Sequence, residues 1–207
     1  MTTKAPKKFP LIPVLLGVGG IALIATVVLT MSAGDTTDEF GEPIIAGDAL
    51  PLAGDGTDLA LGLPIPEVVG ADFAGNEVTI TRDGRPKILL FLAHWCSHCQ
   101  AEVPVVHDWV EAGSLPEGLD LIGIATSTSS TRPNFPPSEW LEREGWETPT
   151  IVDDAEFSVG TAFGLDAFPF WVFVAPDGTV VGRTSGELPP ETISEIAQTL
   201  IAIAPAG

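Results

Sequence analysis

Leu89-Leu90-Phe91-Leu92-Ala93-His94-Trp95-Cys96-Ser97-His98-Cys99 is the stretch on which the reading turns. Ile88 to Leu92 is an uninterrupted apolar run, the pattern of a strand buried on both faces. From Cys96 to about Glu111 the chain reads as a helix. A strand therefore delivers the first of only two cysteines to a helix N-terminus. Unpaired backbone N–H groups and the positive end of the helix dipole favour a thiolate there, and a thiolate is the species that attacks disulfides. The second cysteine, three residues on, can close on the first, so the attack product resolves within the chain. The chemistry implied is thiol–disulfide exchange.

Two other readings of the pair are weaker. A structural zinc site needs four ligands. His94, Cys96, His98 and Cys99 are of the right type but crowd into six residues, no second Cys or His pair follows, and His107 stands alone. No metal and no bound cofactor are expected. A purely structural disulfide rarely bridges two intervening residues at a strand–helix junction.

Of the 9 bases, Lys4, Lys7 and Lys8 lie in the first 33 residues with no acid beside them, which leaves 6 bases against 28 acids in the rest of the chain. So acidic a body repels phosphates, and nucleic acid is excluded as a partner. After the three lysines, Phe9 to Met31 is an uncharged run of 23 residues. At about 1.5 Å per residue it reaches the roughly 30 Å of a hydrocarbon core. A cleaved signal peptide has a shorter apolar core of about 7–15 residues, and a cleavage site near Met31-Ser32-Ala33 would put Met at position −3. The expectation is an uncleaved single-pass anchor over 9–31, with a cytoplasmic tail over 1–8 and the body outside, because lysines stay in the cytoplasm. In that compartment a disulfide can persist.

Residues 32–60 hold seven acids (Asp35, Asp38, Glu39, Glu42, Asp48, Asp55, Asp58), no base, and many Gly, Ala and Pro. That composition predicts a flexible acidic linker, with packing of Ile44-Ile45 on the domain edge as the alternative. A globular pattern begins at about Leu61. Pro66 to Phe73 and Glu77 to Thr81 read as a hairpin around Gly75-Asn76, Leu119 to Ala125 as a second buried strand, and Pro137 to Gly145 as a helix. A short strand at Thr150 to Val152 and a short helix at Ala155 to Phe163 follow. Phe170 to Ala175 and Thr179 to Arg183 form a hairpin through Pro176-Asp177-Gly178, and Pro189 to Ile203 is a closing amphipathic helix. Strands alternating with helices predict an α/β domain with a central mixed sheet flanked by helices.

These residues carry a family likeness. Leu92 to Cys99 resembles the active-site stretch of thioredoxin-fold proteins, where a Trp precedes the first Cys. Phe168-Pro169-Phe170-Trp171 resembles the segment that holds their cis-proline. Cys99-Gln100-Ala101-Glu102-Val103-Pro104, and the extra segment from Ser127 to Thr150, resemble the membrane-anchored TlpA/ResA type. The likeness covers about residues 61–205, a thioredoxin-like domain.

The resemblance implies roles. Cys96 is the exposed nucleophile and Cys99 the shielded resolving thiol. Trp95 walls the site, with core packing as the plainer alternative. Pro169 is cis and lies against the cysteines, although the residues alone allow a trans proline equally, and Phe168 offers backbone hydrogen bonds to an extended substrate. Thioredoxin has a buried aspartate six residues before its first Cys. Here that position is Leu90, so the proton duty falls to Glu102, three residues after Cys99 on one helix face; the alternative is a solvated glutamate. Ser97 and His98 tune the redox pair. A donor beside Cys96 stabilises the reduced form and makes the disulfide more oxidising, whereas the rest of the chain resembles reductants. His94 and His107 read as surface or helix-flank residues without a catalytic part.

The enzyme expected is an extracytoplasmic thiol–disulfide oxidoreductase. By resemblance its partners are disulfide- or thiol-containing secreted proteins, such as cytochrome c precursors, and a membrane thiol electron carrier. The alternatives are a disulfide oxidase or isomerase of secreted proteins, and a non-catalytic thioredoxin-like binding module.

Overall fold

The computed structural model describes residues 39–54 and 56–203. In chain order they form β1 (Ile44–Ala46), β2 (Glu67–Ala71), β3 (Glu77–Ile80), β4 (Lys87–Leu92), α1 (Ser97–Glu111), β5 (Asp120–Ala125), α2 (Pro137–Arg143), β6 (Thr150–Val152), α3 (Ser158–Ala162), β7 (Phe170–Val174), β8 (Val180–Ser185) and α4 (Pro190–Ala202). All six residues of β4 are buried, as its continuous apolar run predicts. It lies in the middle of a sheet of order β6-β5-β4-β7-β8. Its neighbour β5 runs parallel to it and β7 antiparallel, so the sheet is mixed, as the alternation of elements predicts.

Side chains of a strand alternate between faces, and the two cores divide accordingly. Leu89 and Phe91 of β4, Ile122 and Ile124 of β5, and Phe170 and Val172 of β7 pack on one side with Val159 and Ala162 of α3 and with Val68 and Ile80 of the N-terminal sheet. Ile88, Leu90 and Leu92 of β4, with Trp171 and Phe173 of β7, pack on the other side. There they meet Cys99, Val103 and Val106 of α1 and Ile193, Ala197 and Leu200 of α4. Leu90 and Cys99 thus share one apolar cluster, and the redox helix is fixed by the sheet beneath it.

The expected flexible linker over 32–60 is corrected where it is described. Ile44–Ala46 pairs antiparallel with β2, in a small separate sheet of order β1-β2-β3. Leu50 N–H donates to Ala162 O at 2.8 Å and Ala53 N–H to Gly164 O at 2.7 Å. At Gly41 a Cβ would stand 2.1 Å from Val152 O, so only glycine fits there. The acids that suggest disorder are used locally. Asp58 pairs with Arg183, whose guanidinium also donates to Pro51 O and Phe163 O. Glu39 accepts from the Ser138 hydroxyl at 2.6 Å. The folded unit therefore begins well before Leu61. The expected anchor over 9–31 and the expected tail over 1–8 lie outside the described residues. Among the described residues no helix is long and apolar enough to cross a membrane.

The Arg183 clasp gives a test of this docking. Its side chain is 1% exposed, and removing one partner of a buried pair strands the other charge. Asp58→Ala should lower the unfolding free energy by on the order of 3 kcal/mol, read from urea denaturation. A loose tether would leave the midpoint unmoved.

Candidate active site

At the end of β4 the chain turns through Ala93, His94 and Trp95. Cys96 N–H donates to Ala93 O at 3.0 Å, and Gln100 N–H closes the first turn of α1 on Cys96 O at 3.0 Å. Cys96 is the N-cap residue, with extended backbone (φ −78°, ψ 121°), and no acid lies in the first turn to compete for the free N–H groups. Both cysteines are free thiols; Cys96 is half-buried and Cys99 fully buried. Cys96 Sγ lies 3.9 Å from Phe168 O. Cys99 Sγ accepts from Ala93 N–H at 3.4 Å. Burial among apolar side chains pushes the Cys99 thiol well above its ordinary range. The Ala93 N–H opposes this, and the neighbouring Cys96 and Glu102 add to it. One sulfur is presented and the other is held protonated.

Glu102 lies on the buried face of α1 with Cys99 and is 1% exposed. The glutamate is therefore buried and not solvated. Both carboxylate oxygens face Leu188 N–H, at 3.2 and 3.1 Å. Burial raises the carboxyl from 4.5 to about 7; the Leu188 N–H works against this and the charge of Glu187 with it. At neutral pH the group is poised to take or give a proton, and no hydrogen bond joins it to Cys99 among those of the described residues. Leu90, in the position where thioredoxin keeps an acid, is fully buried in the Cys99 cluster.

The peptide bond between Phe168 and Pro169 is cis, as the resemblance implies, and so is that between Phe135 and Pro136. The Trp95 and Phe168 rings meet edge to face with centroids 5.7 Å apart. Trp95 also donates its indole N–H to Ser127 O at 2.8 Å. Ser97 and His98 are exposed beside Cys96. His98 Nδ1 lies 2.7 Å from Glu187 Oε1, so the imidazole is turned to a carboxylate.

Two residues at this site escape the sequence reading. Glu187, which engages His98 and raises Glu102, belongs to no motif, and only the fold brings it to α1. His94 is corrected: it is not a surface residue but 1% exposed. Its Nδ1–H donates to Pro133 O at 2.7 Å, and its Nε2 accepts from Ser129 N–H at 3.1 Å. Burial lowers its pKa and Pro133 O opposes this. With both ring nitrogens engaged, a neutral imidazole fastens the 127–136 loop to the cysteine motif. His107 is half-buried on α1, away from the sulfur pair.

Comparison with known proteins extends this geometry. The sequence model of the Redoxin family matches residues 60–200. No curated protein sequence matches the chain. Among solved structures, a thioredoxin-family thiol:disulfide interchange protein from Chlorobium tepidum is 20% identical. The match covers 72% of this chain and 100% of that one, with a TM-score of 0.57. A DsbF homologue from Corynebacterium diphtheriae is 15% identical over 73% of this chain and 99% of that one, TM-score 0.59. A secreted disulfide oxidoreductase from Mycobacterium tuberculosis, homologous to DsbE, is 19% identical over 64% and 95%, TM-score 0.53. At these identities the likeness is one of fold.

The raised Glu102 carboxyl has a signed consequence for stability. Between its unfolded value of 4.5 and its folded value of about 7 the native state binds the extra proton. Glu102 therefore destabilises progressively as pH rises through that window. Urea unfolding at several pH values should show wild type losing stability from pH 4.5 to about 7 relative to Glu102→Gln. Parallel curves for the two proteins would mean that the carboxyl titrates normally.

Proposed function

The chain belongs to the Redoxin family, and from that premise we propose a thiol–disulfide oxidoreductase that works outside the cytoplasm and reduces disulfides of secreted proteins or of cytochrome c precursors. The observation that carries the reading is the contrast between a presented Cys96 at the start of α1 and a fully buried Cys99 one turn in.

The Cys96 thiolate attacks one sulfur of the client disulfide. A bond forms between Cys96 and the client, and the client's second sulfur leaves as a thiolate that takes up a proton. The Cys96 charge, which helped to keep Cys99 protonated, is now gone. Cys99 gives its proton to Glu102 and attacks Cys96 Sγ. The mixed disulfide breaks, and the client's first sulfur leaves as a thiolate, which is protonated in turn. The client has gained two electrons and two protons, and the enzyme holds a Cys96–Cys99 disulfide. A membrane dithiol carrier restores the pair by running the same exchange. Trp95 and the Phe168-Pro169 segment flank the site where the client strand would lie, and Ser97 and His98 set how strongly the reduced form is favoured.

The anchor supports the location. An uncharged run of 23 residues behind three lysines suits a single-pass span with the enzyme outside. Mass analysis of the protein extracted from membranes should give the full chain; a mature chain starting near Ala33 or Gly34 would replace the anchor with a cleaved signal.

Insulin reduction with a dithiol donor should proceed with wild type and be lost in Cys96→Ser, while Cys99→Ser should accumulate mixed disulfide. A binding module would show no turnover in any of these. Glu102→Gln keeps shape but loses the proton site, and should slow resolution by about tenfold, the low end of general acid–base effects, with less change in the first attack. An unchanged rate and pH profile would remove Glu102 from the reaction. A pair potential near the roughly −270 mV of thioredoxin fits a reductant; one near about −120 mV would turn the flow round and make this an oxidase, the direction a His between the cysteines favours.

A further inference from the structure

The bases among the described residues are few, and nearly all are occupied. Arg82 pairs with Glu67, Arg85 with Asp120, Lys87 with Asp83 and Asp120, and Arg183 with Asp58. Arg143 donates to Asn134 Oδ1 and to Glu139 O. Arg132 differs. Its guanidinium makes no hydrogen bond to any described residue and lies over the Trp95 ring, with Cζ 4.3 Å from the centroid.

Its position is at the mouth of the site. Trp95 precedes Cys96 and meets Phe168 edge to face, and Phe168 O is the acceptor nearest Cys96 Sγ. Arg132, Trp95, Phe168 and Cys96 thus form one continuous rim. The loop beneath Arg132 is fastened. His94 holds Ser129 and Pro133, the Trp95 indole holds Ser127 O, and Asn134 Nδ2 donates to His94 O at 3.4 Å. The stack on Trp95 restrains the guanidinium itself. The result is a planar fork of N–H donors, open to solvent, beside the nucleophile of a protein whose net charge is −19.

We propose that Arg132 is a specificity-determining residue whose guanidinium takes the carboxylate of an acidic side chain flanking the cysteine of the client's disulfide. The inference rests on the thiol–disulfide exchange described above. An acidic neighbour is otherwise a handicap, because the rest of the domain repels it. Arg132 offers it the two parallel N–H donors that match a carboxylate. Glu187 is engaged by His98, so the cysteine motif carries a guanidinium over Trp95 and a carboxylate at His98. A client with Glu or Asp near its cysteine is oriented with that residue towards the 127–136 loop.

The test uses disulfide-linked peptides, identical except for Glu, Gln or Lys two residues before or after the cysteine. With wild type, kcat/KM for the better-placed Glu peptide should exceed that for its Gln counterpart about five- to tenfold, with Lys lowest and the ratio falling in high salt. In Arg132→Gln the Glu-to-Gln ratio should collapse towards one. Arg132→Lys should keep part of it, since a point charge lacks the fork. No preference in wild type, or the same preference in Arg132→Gln, overturns the proposal. So does an equal slowing of all three peptides, which would make Arg132 only a prop for Trp95. If no peptide is turned over at all, the exchange reading fails. The same peptides with Ser for Cys, titrated against Trp fluorescence, then still report whether Arg132 favours the carboxylate, and equal affinities would overturn it.

Discussion

Cys99 has no exposed surface and sits among Leu90, Leu92 and Val103, so its thiolate is the costliest species that the reaction requires. Desolvation penalises an ion far more than a neutral thiol, and the surroundings soften that penalty in few ways. Ala93 N–H points at the sulfur. Glu102, on the same buried face of the helix, adds to the penalty rather than relieving it. Burial outweighs the Ala93 N–H contact, and the thiol is kept protonated. The apolar run Ile88–Leu92 of β4 matters for the same reason: it supplies the dry floor on which Cys99 rests and the strand end that leaves Cys96 at the helix start.

Much of this was legible in the sequence because it is local. A continuous apolar run, two cysteines at i and i+3, a Pro-Asp-Gly turn and a 3.6-residue apolar period each depend on neighbours in the chain, and each element stands within a few residues of its expected place. The burial of Glu102 followed from its spacing to Cys99. His94 was misread because a histidine beside a turn is usually solvated. Its burial comes from a loop more than thirty residues away that wraps over it. Glu187 was invisible for the same reason, since its meeting with His98 spans 89 positions. The segment before Leu61 was misread through composition. Seven acids suggest self-repulsion, but Asp58 meets a buried arginine 125 positions away and Glu39 a serine hydroxyl 99 positions away, and the antiparallel pairing of Ile44–Ala46 with β2 completes the docking.

The segment 186–188 joins Glu102, His98 and the Phe168-Pro169 strand start. Gly186 N–H donates to Pro169 O, the Trp171 indole donates to Gly186 O, and Leu188 N–H is held by Glu102. Glu187 between them engages His98. Three residues of the proposed exchange, Pro169, Glu102 and His98, are therefore connected through this segment. Substitutions at Glu102, His98 and Glu187 should couple rather than add, as groups sharing one network do.

The 127–136 loop is tied down at Ser127, Ser129, Pro133 and Asn134, while Ser130, Thr131 and Arg132 stand exposed at its tip. Fastening and display are assigned to different residues. The tip can therefore change in evolution, or be replaced in the laboratory, without loosening the loop's ties to His94, and a change at Arg132 removes its contact with the Trp95 ring. A scaffold of this kind can acquire new clientele by rewriting three positions, much as a tool keeps its handle while its bit is exchanged.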